Sequence, residues 1–293
     1  MNKYRNLLSA ARKHIINFDS LILQKKSWEE INAVLILSTG RTGTKFMASY
    51  FNNYIKNFYA AHEPFPKIDL LASRYFTSKI STDSVKKKIE WRRQFIQREL
   101  YKTQQENYLE SNPAFWSLIP IMREILPNIK IIHIIRDGRT WLRSAYSRKI
   151  DSKGKYKKNR HGIIWRFTAD EIPTDEYYGK WSEMDIIEKL AWIWKTKNET
   201  ILNDIEDDPK AITIKFEEVF SKENNYKGIT DIINFINHDW TVEPTISDCS
   251  EPLKNKENKS PQFTLPKYQK LNNTQQKSFE TIAGNLMEKM SYF

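Results

Sequence analysis

The stretch AVLILSTGRTGTKFMASYFN, residues 33–52, decides the fold of this 293-residue chain. It begins with a run of β-prone apolar residues, which is typical of a central parallel strand buried on both faces. Ser38, Thr39 and Gly40 end that strand, and from Thr44 onward apolar residues recur at helical spacing. The stretch therefore predicts a strand, a glycine-containing loop and a helix in direct succession.

Two later apolar runs indicate further strands of the same sheet. KIIHII (130–135) follows a helical pattern at 118–126 that Pro127 ends, and AITIKF (211–216) follows one at 186–205. The remaining predicted segments are helices at 84–105 and 274–290 and lysine-rich loops at 151–160 and 251–260. Strands that alternate with helices predict an α/β fold with a mainly parallel central sheet.

Composition bounds the organisation and the partners of the chain. Its length and 40% hydrophobic content favour one large domain, expected at 33–293 after a helical lead-in at 1–32. The net charge of +11 predicts an anionic partner, whether a nucleotide, a nucleic acid, an acidic glycan or a membrane surface. The single cysteine, Cys249, excludes an intramolecular disulfide and a cysteine-based zinc site.

The N-terminal segment has scattered apolar residues broken by charges. It resembles neither the continuous apolar region of a signal peptide nor a membrane span of about 20 apolar residues. We therefore expect a soluble cytoplasmic protein of bacterial type, with docking of the lead-in to a surface as the alternative.

The loop STGRTGT, residues 38–44, joins a buried strand to a helix. Its backbone N–H groups and the positive end of the helix would converge on a bound anion. The residues suited to holding a phosphate there are Gly40, Arg41, Thr42, Gly43 and Thr44. Only two residues separate the glycines, so the loop is not a Walker A motif, despite the nearby Lys45. A plain helix cap is the alternative interpretation.

A second anion site is predicted in RDGRTWLRS, residues 136–144. Arg136 follows the strand at 130–135 directly, and Ser144 lies eight residues later on the following helix. Both can face the crevice where α/β sheets bind ligands. An arginine and a hydroxyl in that position can hold a phosphate distant from the first one. Alternatively, Arg136 pairs with a carboxylate at the sheet edge and the other arginines decorate an exposed helix.

Together, the two motifs resemble the sulfotransferases that use 3′-phosphoadenosine 5′-phosphosulfate (PAPS). STGRTGT (38–44) is similar to their 5′-phosphosulfate loop, and IIHIIRDGRTWLRSAYSRK (131–149) to their 3′-phosphate motif, with wording nearest to the protein-tyrosine branch and bacterial relatives. A weaker resemblance continues from about Val34 to the C-terminus. It implies a three-layer, P-loop-NTPase-like sulfotransferase fold, PAPS as co-substrate and no metal. The implied partner is an acceptor such as a glycan, a protein tyrosine or a small molecule, with no nucleic acid.

The resemblance also implies roles for particular residues. Around the 5′-phosphosulfate it implies Arg41, Thr42, Gly43 and Thr44. Around the 3′-phosphate it implies Arg136, Ser144 and, from the C-terminal loop, Lys259 and Ser260 or Lys254 and Lys256. Ser111 departs from the pattern, because the protein- and glycan-sulfating branches carry a lysine there; Lys45 or a loop lysine could take its place.

Sulfuryl transfer also needs a base for the acceptor proton and a cation at the leaving oxygen. Arg41 is the candidate cation. The segment 59–64, which follows the first helix, is expected to begin as a short second strand next to the strand at 33–37. Glu63 in this segment lies 22 residues beyond Arg41, close to where the glycan- and protein-sulfating branches place a glutamate base, and we predict it as the base. His62 is the rival, because imidazole is a common general base near neutral pH.

Two other classes of function are kept as alternatives. A P-loop kinase or hydrolase would need a Walker lysine and an acidic Mg²⁺ ligand at a strand end. A basic, non-enzymatic anion or nucleic-acid binder would need basic residues gathered on one face.

Overall fold

The computed structural model describes residues 31–64, 68, 70–151, 153–158, 162–254 and 265–293. Its sheet consists of β1 (Asn32–Leu37), β2 (Phe58–His62), β3 (Asn107–Ser111), β4 (Ile129–Ile135) and β5 (Ala211–Lys215). The strands run in the order β2-β3-β1-β4-β5, and all of the pairs are parallel. The predicted α/β fold with a mainly parallel sheet is confirmed.

The helices of the described residues lie between and after these strands. The α-helices are α1 (Thr44–Tyr54), α2 (Leu71–Phe76), α3 (Thr82–Thr103), α4 (Ile119–Ile125), α5 (Gly138–Lys149), α6 (Ile186–Asp204), α7 (Phe216–Phe220), α8 (Lys227–Asn237), α9 (Glu251–Lys254) and α10 (Asn273–Lys289). Short 3₁₀ helices occur at Pro113–Phe115, Ala169–Glu171 and Tyr268–Lys270. None of these helices is long and apolar enough to cross a membrane.

Helices cover both faces of the sheet, which gives three layers. Along β1, Leu35 and Leu37 pack into one apolar cluster with residues of α3 to α6 and α10. Val34 and Ile36 pack into a second cluster with residues of α1 and α8. Because successive side chains of a strand point to opposite faces, burial on both sides explains why β1 is continuously apolar.

β3 was not predicted from the sequence, and β2 occupies a different position in the sheet from the predicted one. The strand around Tyr59 was expected beside β1, but β3 lies between them. β3 is polar in sequence yet fully buried. Its Glu110 accepts hydrogen bonds of 2.7 Å from the Tyr108 hydroxyl and the Asn112 amide and lies 3.7 Å from the Arg92 guanidinium. Such partners make buried polar side chains tolerable.

Two other expectations concern the ends of the chain. The loop predicted at 251–260 begins as a helix, since Glu251–Lys254 forms α9. The predicted lead-in at 1–32 lies outside the described residues up to position 30.

The strand order determines where a ligand can enter. After β1 the chain crosses through α1 to β2 on one side, and after β4 it crosses through α5 and α6 to β5 on the other. The carboxyl ends of β1 and β4 are therefore a topological switch point, where open α/β sheets bind ligands. Ser38 and Arg136 follow these two strand ends directly.

Candidate active site

The loop after β1 makes a tight left-handed turn. Gly40, Arg41 and Gly43 have φ angles of 80°, 61° and 74°. This conformation is open to glycine but uncommon for a residue such as Arg41. Residues in sparsely populated conformations occur often at ligand clamps, where the surrounding structure holds them.

The start of α1 is a suitable position for an anion. Its N-cap is Gly43, and no side chain in the described part of the chain caps it. The start of α5 differs, because the Asp137 carboxylate accepts hydrogen bonds from the backbone N–H groups of Arg139 and Thr140. The positive end of α5 is thus neutralised from within the chain, whereas that of α1 is available to a ligand.

Thr42 supplies an independent indication that something binds in the loop. Thr42 is 0% exposed, and its hydroxyl has no hydrogen-bond partner within the described residues. A buried hydroxyl without a partner costs about 1–3 kcal/mol. A ligand oxygen bound in the loop would remove that cost.

The two predicted anion motifs are in direct contact. Arg41 Nε donates a 3.0 Å hydrogen bond to Ser144 Oγ, and Arg136 Nη1 donates one of 2.9 Å to the Arg41 carbonyl. Trp141 Nε1 donates to the Gly40 carbonyl over 2.9 Å. The two motifs, which the sequence predicts as separate anion sites, therefore lie against each other.

Arg136 has a different environment from the one that the alternative interpretation required. Its Nε donates to the Thr140 hydroxyl over 2.9 Å, and its Nη1 to the Arg41 carbonyl, so neither hydrogen bond goes to a carboxylate. The indole of Trp194 donates to the Arg136 carbonyl over 3.1 Å and fixes the start of this turn.

Burial desolvates the guanidinium groups of Arg41 and Arg136. Desolvation lowers the pKa of Arg41, and the charge of Arg148 lowers it further. Desolvation also lowers the pKa of Arg136, with Glu217 opposing the shift and Arg41 adding to it. Arginine remains protonated nonetheless, so the site holds two desolvated cations that favour an anion.

Three phenylalanines form an apolar cluster beside the arginines. The Phe220 ring lies 5.5 Å from that of Phe46 and 4.7 Å from that of Phe216, and the Arg136 guanidinium lies 4.5 Å from the Phe216 ring centre. The sequence analysis did not assign these residues. The i, i+4 spacing of Phe216 and Phe220, directly after β5, was the signal available.

Both candidate bases lie at the end of β2. Glu63 has a φ angle of 44°, and its backbone N–H donates to the Ser111 carbonyl over 3.3 Å. The same carbonyl lies 3.0 Å from His62 Nδ1. That contact places the hydrogen of a neutral ring on Nδ1 and leaves Nε2 as an acceptor. Nε2 lies 3.8 Å from the Glu63 carboxylate, so the two candidates adjoin each other.

The end of β3 connects the two candidate bases to the loop after β1. A cavity of about 140 Å³ is lined by Glu63, Asn112, Pro113 and Lys197, among others. Pro113 also lies against the loop, because a Cβ on Gly40 would be 3.9 Å from its ring. The cavity and the loop therefore share Pro113 as a common wall.

The other predicted residues have varied surroundings. Lys45 is exposed on α1, whereas Thr44 is buried. Ser111 is buried, and its hydroxyl has no hydrogen-bond partner within the described residues. Lys254 pairs with Asp248 at 2.5 Å. Lys256, Lys259 and Ser260 lie outside the described residues.

Comparison with known proteins gives structural similarities only. No family model and no curated protein matches the sequence. The sulfotransferase domain from the curacin biosynthetic pathway has a TM-score of 0.48 at 13% identity, covering 90% of this chain and 99% of its own. A sulfotransferase from Alicyclobacillus acidocaldarius has a TM-score of 0.41 at 15% identity, covering 75% and 88%. Mouse sulfotransferase SULT7A1, complexed with PAP, has a TM-score of 0.46 at 12% identity, covering 90% and 86%.

Proposed function

We propose that the chain transfers a sulfuryl group from PAPS to a hydroxyl or amine of an acceptor, such as a glycan, a protein tyrosine or a small molecule. The proposal rests on the hydrogen bonds that join the loop after β1 to Arg136 and Ser144. A nucleotide with phosphate at both its 5′ and its 3′ position has two anionic ends, and this site offers cations and hydroxyls for both.

The residues present fit such a nucleotide. The uncapped start of α1 and the Thr42 hydroxyl suit the 5′ end. Arg136 and Ser144 suit the 3′-phosphate. The rings of Phe46, Phe216 and Phe220 offer an apolar surface next to the arginines, which suits a planar base.

Sulfuryl transfer requires the acceptor and the donor to be positioned for attack and the charge on the leaving phosphate to be stabilised. The acceptor oxygen or nitrogen attacks sulfur, the bond between sulfur and the bridging oxygen breaks, and 3′-phosphoadenosine 5′-phosphate (PAP) leaves. Arg41 would stabilise the charge that develops on the leaving phosphate. Glu63 would accept the acceptor proton, and His62 Nε2 is the neighbouring acceptor atom that could share this role.

The site fits a kinase or nucleotide hydrolase less well. In such enzymes an acidic side chain near a strand end holds Mg²⁺. Here the residue after β4 is Arg136, and the next carboxylate, Asp137, caps α5 and pairs with Arg139 at 2.6 Å. The charge that a kinase obtains from a metal ion is supplied at this position by arginine.

Nucleotide binding tests the proposal. The melting temperature is measured with PAP and with ADP, which lacks the 3′-phosphate. PAP should stabilise the protein more than ADP at equal concentration. Arg136→Ala should reduce PAP affinity about 10- to 100-fold, because a charge-assisted hydrogen bond contributes about 1.5–3 kcal/mol, and should leave ADP affinity nearly unchanged.

Arg143→Ala, on the helix α5 that follows Arg136, is the matched control. Its guanidinium Nε donates to the Leu265 carbonyl over 2.9 Å, so the variant should keep the preference for PAP. Equal stabilisation by PAP and ADP in the unmodified protein, or tighter binding of Mg²⁺-ATP than of PAP, would refute the proposal.

A further inference from the structure

The cavity beside Glu63 is small and partly aromatic. Its volume is about 140 Å³, and Trp116, Arg166 and Lys197 line it together with Glu63. An apolar protein cavity of about 150 Å³ holds a benzene ring. The cavity can therefore receive one small group of an acceptor rather than a whole sugar chain or peptide.

Lys197 brings a desolvated positive charge to this cavity. It lies on α6, and its Nζ is 5.4 Å from the centre of the Trp116 ring and 5.9 Å from that of Phe167. Aromatic faces attract a cation but carry no net charge that could neutralise it. Burial, together with the charges of Lys149 and Arg166, lowers the pKa of Lys197 to about 8. At pH 7 such a lysine is still about nine-tenths protonated.

The neighbouring cations add to this charge. Burial lowers the pKa of Lys149 to about 8, and Arg166 contributes to the shift. Among the described residues that line the cavity, Glu63 is the one carboxylate, against the cations Arg166 and Lys197. The printed contacts of the Lys197 ammonium are with aromatic rings, and a desolvated charge is costly without a counter-ion, so Lys197 favours an incoming anion.

We infer that the cavity binds a carboxylate of the acceptor against Lys197 and Arg166, while the hydroxyl or amine that is sulfated lies at Glu63. This inference rests on the proposed function, since it assigns acceptor specificity to the same site. A planar carboxylate matches the fork of an arginine and can share its second oxygen with a lysine.

The positive charge in the cavity also gives a physical reason for selecting an anionic acceptor over a neutral one. A neutral acceptor would cover the half-buried Lys197 without supplying a counter-ion, whereas an anionic acceptor supplies one. Discrimination then arises as much from the cost of the wrong acceptor as from contacts with the right one.

Calorimetric titration of benzoate and benzamide tests the inference. The two probes share size and shape but differ in charge. The protein is first saturated with PAP at pH 7 and constant ionic strength, so that the phosphate positions are occupied. Benzoate should bind at least about tenfold more tightly than benzamide, as expected for one charge-assisted contact.

Variants on α6 separate the cavity from general charge effects. Lys197→Met, and Lys197→Gln as a second form, should bring the two affinities within about twofold of each other. Lys195→Met is the matched control, because Lys195 lies two residues away and pairs with Glu199 at 3.0 Å. It should retain the tenfold preference, and all of these variants should bind PAP equally well.

Equal binding of benzoate and benzamide to the unmodified protein would overturn the inference, as would a preference that survives both Lys197 variants. Either result leaves the proposed function intact when PAP still binds. If PAP fails to bind, the proposed function is refuted. The affinities for benzoate and benzamide are then compared on Arg41→Ala protein without nucleotide, and this comparison tests the cavity alone.

Discussion

Gly43→Ala perturbs the point at which the loop after β1 becomes α1. Gly43 has a φ angle of 74°, and a Cβ added there would lie 2.3 Å from an atom of the Phe220 ring. The substitution therefore combines an unfavourable backbone conformation with a steric overlap. The two effects can be measured separately, because Gly179 has the unfavourable backbone conformation without the steric overlap.

The expected magnitude follows from these two terms. A left-handed conformation costs a residue with a Cβ about 1–2 kcal/mol. Overpacking against a ring costs about 1–3 kcal/mol more. The free energy of unfolding of Gly43→Ala should thus fall by about 2–5 kcal/mol. Phe220 must move, and with it the contacts that its ring makes with Phe46 and Phe216.

Gly179→Ala is the control for the backbone term. Gly179 has a φ angle of 76°, but a Cβ there would meet nothing within 4 Å. Its variant should lose about 1–2 kcal/mol. Urea unfolding of both variants gives the difference, which is the cost of the overlap with Phe220.

A double-mutant cycle identifies the ring as the cause. Phe220→Leu should recover about 1 kcal/mol or more of the loss in Gly43→Ala, because contacting residues show interaction energies of about 0.5–3 kcal/mol. PAP affinity should fall in Gly43→Ala and remain unchanged in Gly179→Ala. Equal losses of stability in the two glycine variants, with no coupling to Phe220, would refute this reasoning.

Two further predictions concern proton-binding groups. Glu63→Gln should reduce turnover by about 10²–10⁴-fold while PAP affinity stays within about twofold; retained turnover would transfer the role to His62, which His62→Asn then tests. His133 is buried and hydrogen-bonded to Asn198 at 3.1 Å, and burial lowers its pKa to about 4. Since the unfolded chain binds this proton near pH 6.5, stability should be fully present above that pH and fall as pH drops toward 4. Urea midpoints at pH 7 and pH 4.5 should differ less in His133→Asn, and an identical pH dependence would contradict the assignment.

The sequence predicted the elements that follow simple hydrophobic rules. β1 and β4 are buried on both faces, so their apolar runs identify them directly. Helices α3, α4, α6 and α10 agree with their predicted bounds within two residues. Their periodicity arises from burying one face in the core, and α10 does so against α6.

β3 escaped prediction because its burial depends on partners far away in sequence. Glu110 resembles a surface residue in isolation, yet its carboxylate is buried beside Arg92, a residue of α3. Local patterns carry no information about such a pairing. Missing β3 also led to the wrong neighbour for β2, since an inserted strand changes the strand order without changing any local pattern.

The candidate site residues that follow strand ends could be predicted from the sequence, whereas those that come from α6 and from the segment after α5 could not. Arg136 and the loop residues follow apolar runs, and their position at the crevice follows from the fold class. Lys197 and Arg166 reach the site from α6 and from the segment after α5, where their sequence context is that of ordinary surface cations. Only the packing of Trp116 and Phe167 around Lys197 distinguishes it.

The contact between Arg41 and Ser144 gives the two halves of the site a fixed relation. A serine hydroxyl has one hydrogen to donate and two lone pairs to accept. Ser144 accepts from Arg41 Nε, so its own hydrogen remains free to be donated to a phosphate oxygen at the same time. The left-handed conformation of Arg41 turns its carbonyl toward Arg136 as well. Arg41, a single strained residue, is thus hydrogen-bonded to both groups proposed for the 3′-phosphate. Under the proposed function, a nucleotide that lost contact at one end would therefore also disturb the geometry at the other.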